Sequence, residues 1–132
     1  MRFLLLLAAL LPLAGCSSGP KTYPVEGKLV FEDGTLVQEL ARGTVSVESV
    51  ADQSNAAAEI RADGSFRLTS PLGSDGVPAG EYRVLVLPPE PKDADNPPPP
   101  VIPSRYYNYQ DSGLRITVAE QDNVVVIKLK RK

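Results

Sequence analysis

The chain has no histidine, no tryptophan and a single cysteine in 132 residues. Each absence removes a class of chemistry. Without histidine there is no Ser-His-Asp or Cys-His relay, no HExxH zinc site and no imidazole acid–base group at neutral pH. One cysteine allows neither an intrachain disulfide nor a thiolate zinc cluster. The formal net charge of −2 supplies no basic field for a polyanion, so nucleic acid is not an expected partner. The length suits one domain. No metal and no other cofactor is expected, and no catalytic residue.

What is present begins with an address. Met1-Arg2 is a short positive start, and Phe3 to Leu13 is an apolar run broken only by Pro12. A membrane span needs roughly 20 apolar residues, so this run reads as a signal peptide rather than a permanent span. It ends in Leu13-Ala14-Gly15-Cys16, which resembles the bacterial lipoprotein box. The resemblance implies cleavage before Cys16, a diacylglycerol on its sulfur and an acyl chain such as palmitate on the new amino group. Two or three buried chains make such an anchor effectively permanent. Ser17 lacks the aspartate that commonly retains lipoproteins in the inner membrane. The expected location is therefore periplasm-facing, on the outer membrane. Residues 1–15 are read as the signal peptide, 16–23 as lipidated terminus and short tether, and 24–132 as the domain.

In the domain the dominant period is two. Val25, Gly27, Leu29 and Phe31 alternate with Glu26, Lys28 and Val30. Thr44 to Val50 places Val45 and Val47 on one face, and Ala56, Ala58 and Ile60 point one way. Phe66 and Leu68 flank Arg67. Tyr82 to Leu87 is apolar on both faces and reads as a central strand. Leu114, Ile116 and Val118 form another set, as do Val125, Ile127 and Leu129. Asp33-Gly34, Asp63-Gly64 and Asp122-Asn123 mark turns. Leu36 to Arg42 has the spacing of one helical turn, ended by Gly43. The pattern predicts an all-β, seven-strand antiparallel Greek-key β-sandwich. Gly80 followed two residues later by Tyr82 fits the tyrosine corner of Greek-key sandwiches, which makes Gly80 and Tyr82 structural residues, and the Asp63-Gly64 turn makes Gly64 one as well.

One segment breaks the pattern. Residues 88–103 contain eight of the 13 prolines, including the run Pro97 to Pro100. Proline lacks an amide donor and favours extended polyproline II, so this is no central strand. Long loops of this kind are usually functional or disordered. Tyr106, Tyr107 and Tyr109 follow at once.

Pro24-Val25-Glu26-Gly27-Lys28-Leu29, Ala62-Asp63-Gly64-Ser65-Phe66-Arg67-Leu68 and Pro78-Ala79-Gly80-Glu81-Tyr82-Arg83-Val84, in that order, resemble the carboxypeptidase regulatory-like domain. The stretch from Ile102-Pro103-Ser104-Arg105-Tyr106 to Ser112–Val118 is similar to small bacterial lipoproteins that carry such a domain. The resemblance implies a transthyretin-like, or prealbumin-like, sandwich acting as an accessory or interaction module. It brings no catalytic residues.

Glu32-Asp33 and Asp93-Ala94-Asp95-Asn96 offer carboxylates, but no EF-hand run holds them for calcium. Lys28, Asn123 and Glu81 are the residue types of a self-formed isopeptide bond, which requires a buried lysine. The alternation turns Lys28 outward. Lys128 and Lys130 lie on the outer face of the last strand, where charge guards an edge against pairing. The expected function is a lipid-anchored, non-enzymatic binding or structural module of the cell envelope, holding a protein or envelope polymer. Its contact surface is expected at Pro97, Pro98, Tyr106, Tyr107 and Tyr109. The alternative is a carbohydrate- or peptidoglycan-binding module using the same three tyrosines as a stacking surface. Oligomeric state stays open.

Overall fold

A computed structural model describes residues 21–71 and 73–132. The signal peptide, Cys16 and Ser17 lie outside the described residues. The chain is all-β, with two main sheets facing across one core as in a β-sandwich.

The strands follow the alternation. They are β1 (Thr22–Tyr23), β2 (Val25–Phe31), β3 (Thr44–Ser49), β4 (Asn55–Glu59), β5 (Ser65–Arg67), β6 (Val77–Pro78), β7 (Gly80–Leu87), β8 (Leu114–Val118) and β9 (Asn123–Leu129). One sheet has the order β5-β2-β9 and the other β4-β3-β7-β8, while β1 and β6 form a small pair of their own. Val25, Leu29, Phe31, Phe66, Ile127 and Leu129 from the first sheet are buried, as are Val45, Val47, Ala56, Ala58, Val84, Val86, Ile116 and Val118 from the second. Because side chains alternate across a strand, each apolar set lands on one face and closes the core without a helix.

The structure corrects several expectations. The sheets are not wholly antiparallel: β2 and β9 run parallel, Val25 opposite Asn123 and Phe31 opposite Leu129. Alternation is the same in both kinds of ladder, so the periodicity carries no direction. The chain between β2 and β9 is the long crossover that a parallel pair requires. Thr22 and Tyr23, expected in the tether, pair with Pro78 and Val77. The stretch Leu36 to Arg42 forms no helix. Leu36 bridges Val30, Val37 and Leu40 are buried, and tight turns run from Gln38 to Ala41 and from Leu40 to Gly43. Leu36 is exposed, whereas Leu40 is buried.

The isopeptide trio is dispersed. Lys28 is exposed and pairs with Val126, whereas Asn123 sits opposite Val25. The Asn123 amide donates to the carbonyls of Pro24, Ala119 and Gln121 and accepts the Ala119 N–H at 2.9 Å. Glu81 pairs with Arg115 at 2.6 Å. Asn123 therefore closes the β8–β9 turn.

Three turns share a device. Asp33, Asp52 and Asp63 each accept both the N–H and the hydroxyl of the residue two positions on: Thr35, Ser54 and Ser65. These Asx turns fix the strand entries. The donated hydroxyl, reinforced by the amide, holds each carboxyl below the usual aspartate value. A lowered native pKa means the unfolded chain binds protons more readily. The stabilisation is therefore complete above the ordinary aspartate pKa of about 3.9 and is lost as pH falls through the lower native values. The thermal midpoint is expected to fall between about pH 5 and pH 2, and Asp63→Asn is expected to flatten that slope. A midpoint independent of pH across that range would contradict it.

Candidate surface at the proline-rich loop

The proline-rich segment leaves β7 at Leu87 and returns through Ile102, which is fully buried. Pro91 to Pro100 are exposed, and a turn from Asp93 to Asn96 folds the middle of the loop. A 3-10 turn, Ser104–Tyr107, then carries the chain toward β8. Both ends of the loop are anchored, since Val101 accepts the N–H of Lys132 at 2.9 Å.

Beneath the loop lies a groove of about 430 Å³. Pro88, Pro91, Pro97, Pro98, Pro99 and Pro100 form its walls, with Leu40, Val101 and Tyr107 also lining it. Glu39 stands at the rim. Its carboxyl is held below the usual range, first by its own backbone amide and then by Arg131, which approaches to 3.3 Å. The Arg131 guanidinium also stacks on Phe31, 3.6 Å from the ring centre. The walls are apolar, and the anionic group at the rim is already paired with Arg131.

The tyrosines expected to act together are separated. Tyr107 is half-buried and faces the prolines. Tyr106 is 2% exposed, and its hydroxyl accepts the N–H of Lys130 at 2.9 Å and a guanidinium N–H of Arg105 at 3.1 Å. Tyr109 is half-buried, shares a hydrogen bond with the Ser46 hydroxyl at 2.5 Å, and lines a different hollow with Arg83 and Leu114. Tyr106 therefore belongs to the core, a correction to its place in the candidate surface. Consecutive residues of a tight turn point in different directions, so closeness in sequence does not gather the rings. The three rings form no common platform for a sugar.

A second hollow, of about 420 Å³, lies at the far side of the tyrosine corner. Thr22, Asp52, Ser54, Ser70, Ser74 and Tyr82 bring polar atoms to it over Val77 and Pro78. These polar atoms are engaged internally. Asp52 holds Ser54, Ser70 accepts the amide of Ser74, and Tyr82 donates to the carbonyl of Pro78 at 2.7 Å. Burial, then the nearby Asp52, raises the pKa of Tyr82, which keeps its proton on that bond. Composition hid this hollow because its residues come from six separate loops and strands. Sequence offered only the Asx-turn signal of Asp52 and Ser54. Asp93 accepts the amide of Asp95 at 3.0 Å and serves the loop turn. No group of three or more histidine, cysteine, aspartate or glutamate side chains converges among the described residues. No helix there is long and apolar enough to cross a membrane.

No family model matches the chain. No curated protein matches it either. Among solved structures, a DUF3823 family protein from Parabacteroides merdae superposes with a TM-score of 0.52 at 10% identity, over 86% of this chain and 48% of that one. A DUF3823 family protein from Bacteroides ovatus gives 0.49 at 16% identity, over 83% and 44%. The chain thus spans about half the length of these structures. At such identity the first likeness speaks for a β-rich fold alone.

Proposed function

We propose that the chain is a non-enzymatic binding module of the bacterial cell envelope, anchored by lipid on Cys16 and facing the periplasm from the outer membrane. In this reading the domain is a transthyretin-like, seven-strand Greek-key sandwich of the carboxypeptidase regulatory-like type. It holds a protein partner at the proline-rich loop. The observation that carries the reading is the groove under Pro97 to Pro100 with Tyr107 at its side and Glu39 at its rim. Proline walls lose little conformational entropy on binding, because the ring already fixes the backbone. A loop of exposed prolines anchored at both ends is suited to present such a surface.

The test is photo-crosslinking in cells followed by mass spectrometry, on the wild-type chain and on a variant with Pro91 to Pro100 replaced by a short Gly-Ser link. These residues are exposed and bury no core side chain, so the thermal midpoint is expected to move by only a few degrees. The crosslinked partner is expected to disappear. Equal crosslinking by both chains would place the interface elsewhere. In the same experiment Cys16→Ala is expected to release the chain from the membrane fraction and to end incorporation of labelled fatty acid.

A further inference from the structure

The outer edge of β9 is an open sheet edge. β9 pairs with β2 on one side only and so ends its sheet. Asn123 donates to Pro24, and Leu129 accepts from Glu32, so the odd-numbered residues turn their backbone groups toward β2. The even-numbered residues turn theirs to the open side. At the C-terminal end that side is closed: the Lys130 N–H is taken by the Tyr106 hydroxyl and the Lys132 N–H by Val101. Among the described residues, the N–H groups of Val124 and Val126 meet no such partner. Their side chains stand on the outer face, Val124 at 84% exposure and Val126 at 59%.

The other edges are managed. β4 is met by Thr69, which exchanges backbone bonds with Ala57 at 3.2 Å each way. β5 is three residues long, and its Arg67 is clamped by Glu26 and Asp75. β8 shows only Arg115 and Thr117 on its outer face. β9 alone combines open ladder groups with exposed valines. An edge of this kind templates pairing with another strand.

The charge along β9 selects the occupant. Glu120 and Asp122 flank its start, and Lys128, Lys130 and Lys132 lie at its end. The lysines guard one end only. A second copy laid antiparallel sets the acidic start of each strand against the basic end of the other. A parallel copy would align like charges. We propose that β9 pairs with β9 of a second copy about a two-fold axis through Val125, making one continuous sheet. In this register Val124 lies opposite the partner's Val126, and Lys128 lies opposite the partner's Asp122. Val124 and Val126 are both even-numbered, so each such pair exchanges two N–H···O bonds. The ladder stops short of Lys130, where Tyr106 already occupies the edge.

The test is sedimentation velocity on the full chain in density-matched non-ionic detergent, across a concentration series. The wild type is expected to dimerise with rising concentration. Val124→Lys/Val126→Lys is expected to stay monomeric with an unchanged thermal midpoint, because both positions are exposed in the monomer. Lys128→Glu and Asp122→Lys singly are expected to weaken association at low salt, and the two together to restore it. Amide exchange at Val124 and Val126 is expected to slow only in the dimer. A wild type that remains monomeric up to about 1 mM would overturn the proposal. So would a double-lysine variant that still dimerises, or a charge swap that restores nothing.

Discussion

Gly27→Ala is expected to destabilise the domain by about 3 kcal/mol, the upper part of the range for overpacked cores. Gly27 lies in the middle of β2, directly opposite Phe66 of β5, and the Phe66 ring covers it. A β-carbon at Gly27 would stand 2.5 Å from Cε1 of that ring and closer still to Cζ. Phe66 is fully buried, so it has no solvent to move into. Either the ring leaves its rotamer or the two strands separate. The melting midpoint is expected to drop by roughly 10–15 °C in calorimetry. The second half of the test is a double-mutant cycle. Phe66→Leu alone empties part of the core and costs stability. Combined with Gly27→Ala it vacates the space the new methyl needs, so the pair is expected to be less damaging than the sum by about 1 kcal/mol or more. Strict additivity would mean that the ring does not set the limit at Gly27.

That pairing shows where sequence reasoning stops. The alternation of Val25, Gly27, Leu29 and Phe31 assigned Gly27 correctly to the inner face, and it identified the inward sets of β3, β4 and β8, while β7 read as apolar on both faces. It did not show why one inner position is glycine, because the answer lies on another strand, in a register no local pattern encodes. The same reason hid the parallel union of β2 and β9. Direction belongs to the path of the whole chain, whereas alternation belongs to the pleat. β1 and β6 were missed because two residues are too few to show a period. Turns were more legible. Asp33-Gly34 and Asp63-Gly64 were visible as dipeptides, but the shared signal was the hydroxyl two residues after each aspartate. That signal also finds Asp52 and Ser54, where no glycine helps.

The candidate surface was half legible for a related reason. Composition located the proline-rich loop, since eight prolines cannot enter a central strand. It also grouped three tyrosines that the fold separates. In a short 3-10 turn the direction of each ring depends on where the turn docks, and here Tyr106 docks against the end of β9. A residue offered as a contact is thus one of the pins that hold the contact surface in place.

This gives the second large effect. Tyr106→Ala is expected to cost about 3–5 kcal/mol, as for other aromatic residues removed from cores. The loss has two parts that a milder variant separates. Tyr106→Phe keeps the ring in the core and removes only the hydroxyl that accepts from Lys130 and Arg105. Its expected cost is about 1 kcal/mol, that of a hydrogen bond whose donor keeps some access to water. The alanine variant should do more than lower the midpoint. The turn that carries Tyr106 also carries Tyr107, the aromatic wall of the proline groove, and leads back to the buried Ile102. Releasing the turn should loosen the groove before the sheets unfold. Native-state hydrogen exchange is expected to show faster exchange from Val101 to Asn108 in Tyr106→Ala, well below the global unfolding transition. The β3 and β7 amides should still exchange by global unfolding, though faster by the factor the lower stability sets. Uniform acceleration over the whole chain, with no separate local phase in residues 101–108, would show that Tyr106 serves the core alone. If the local phase is seen, the domain has a dependence not visible in composition: the surface proposed to meet a partner is held by the same side chain whose hydroxyl closes the far end of the β9 edge.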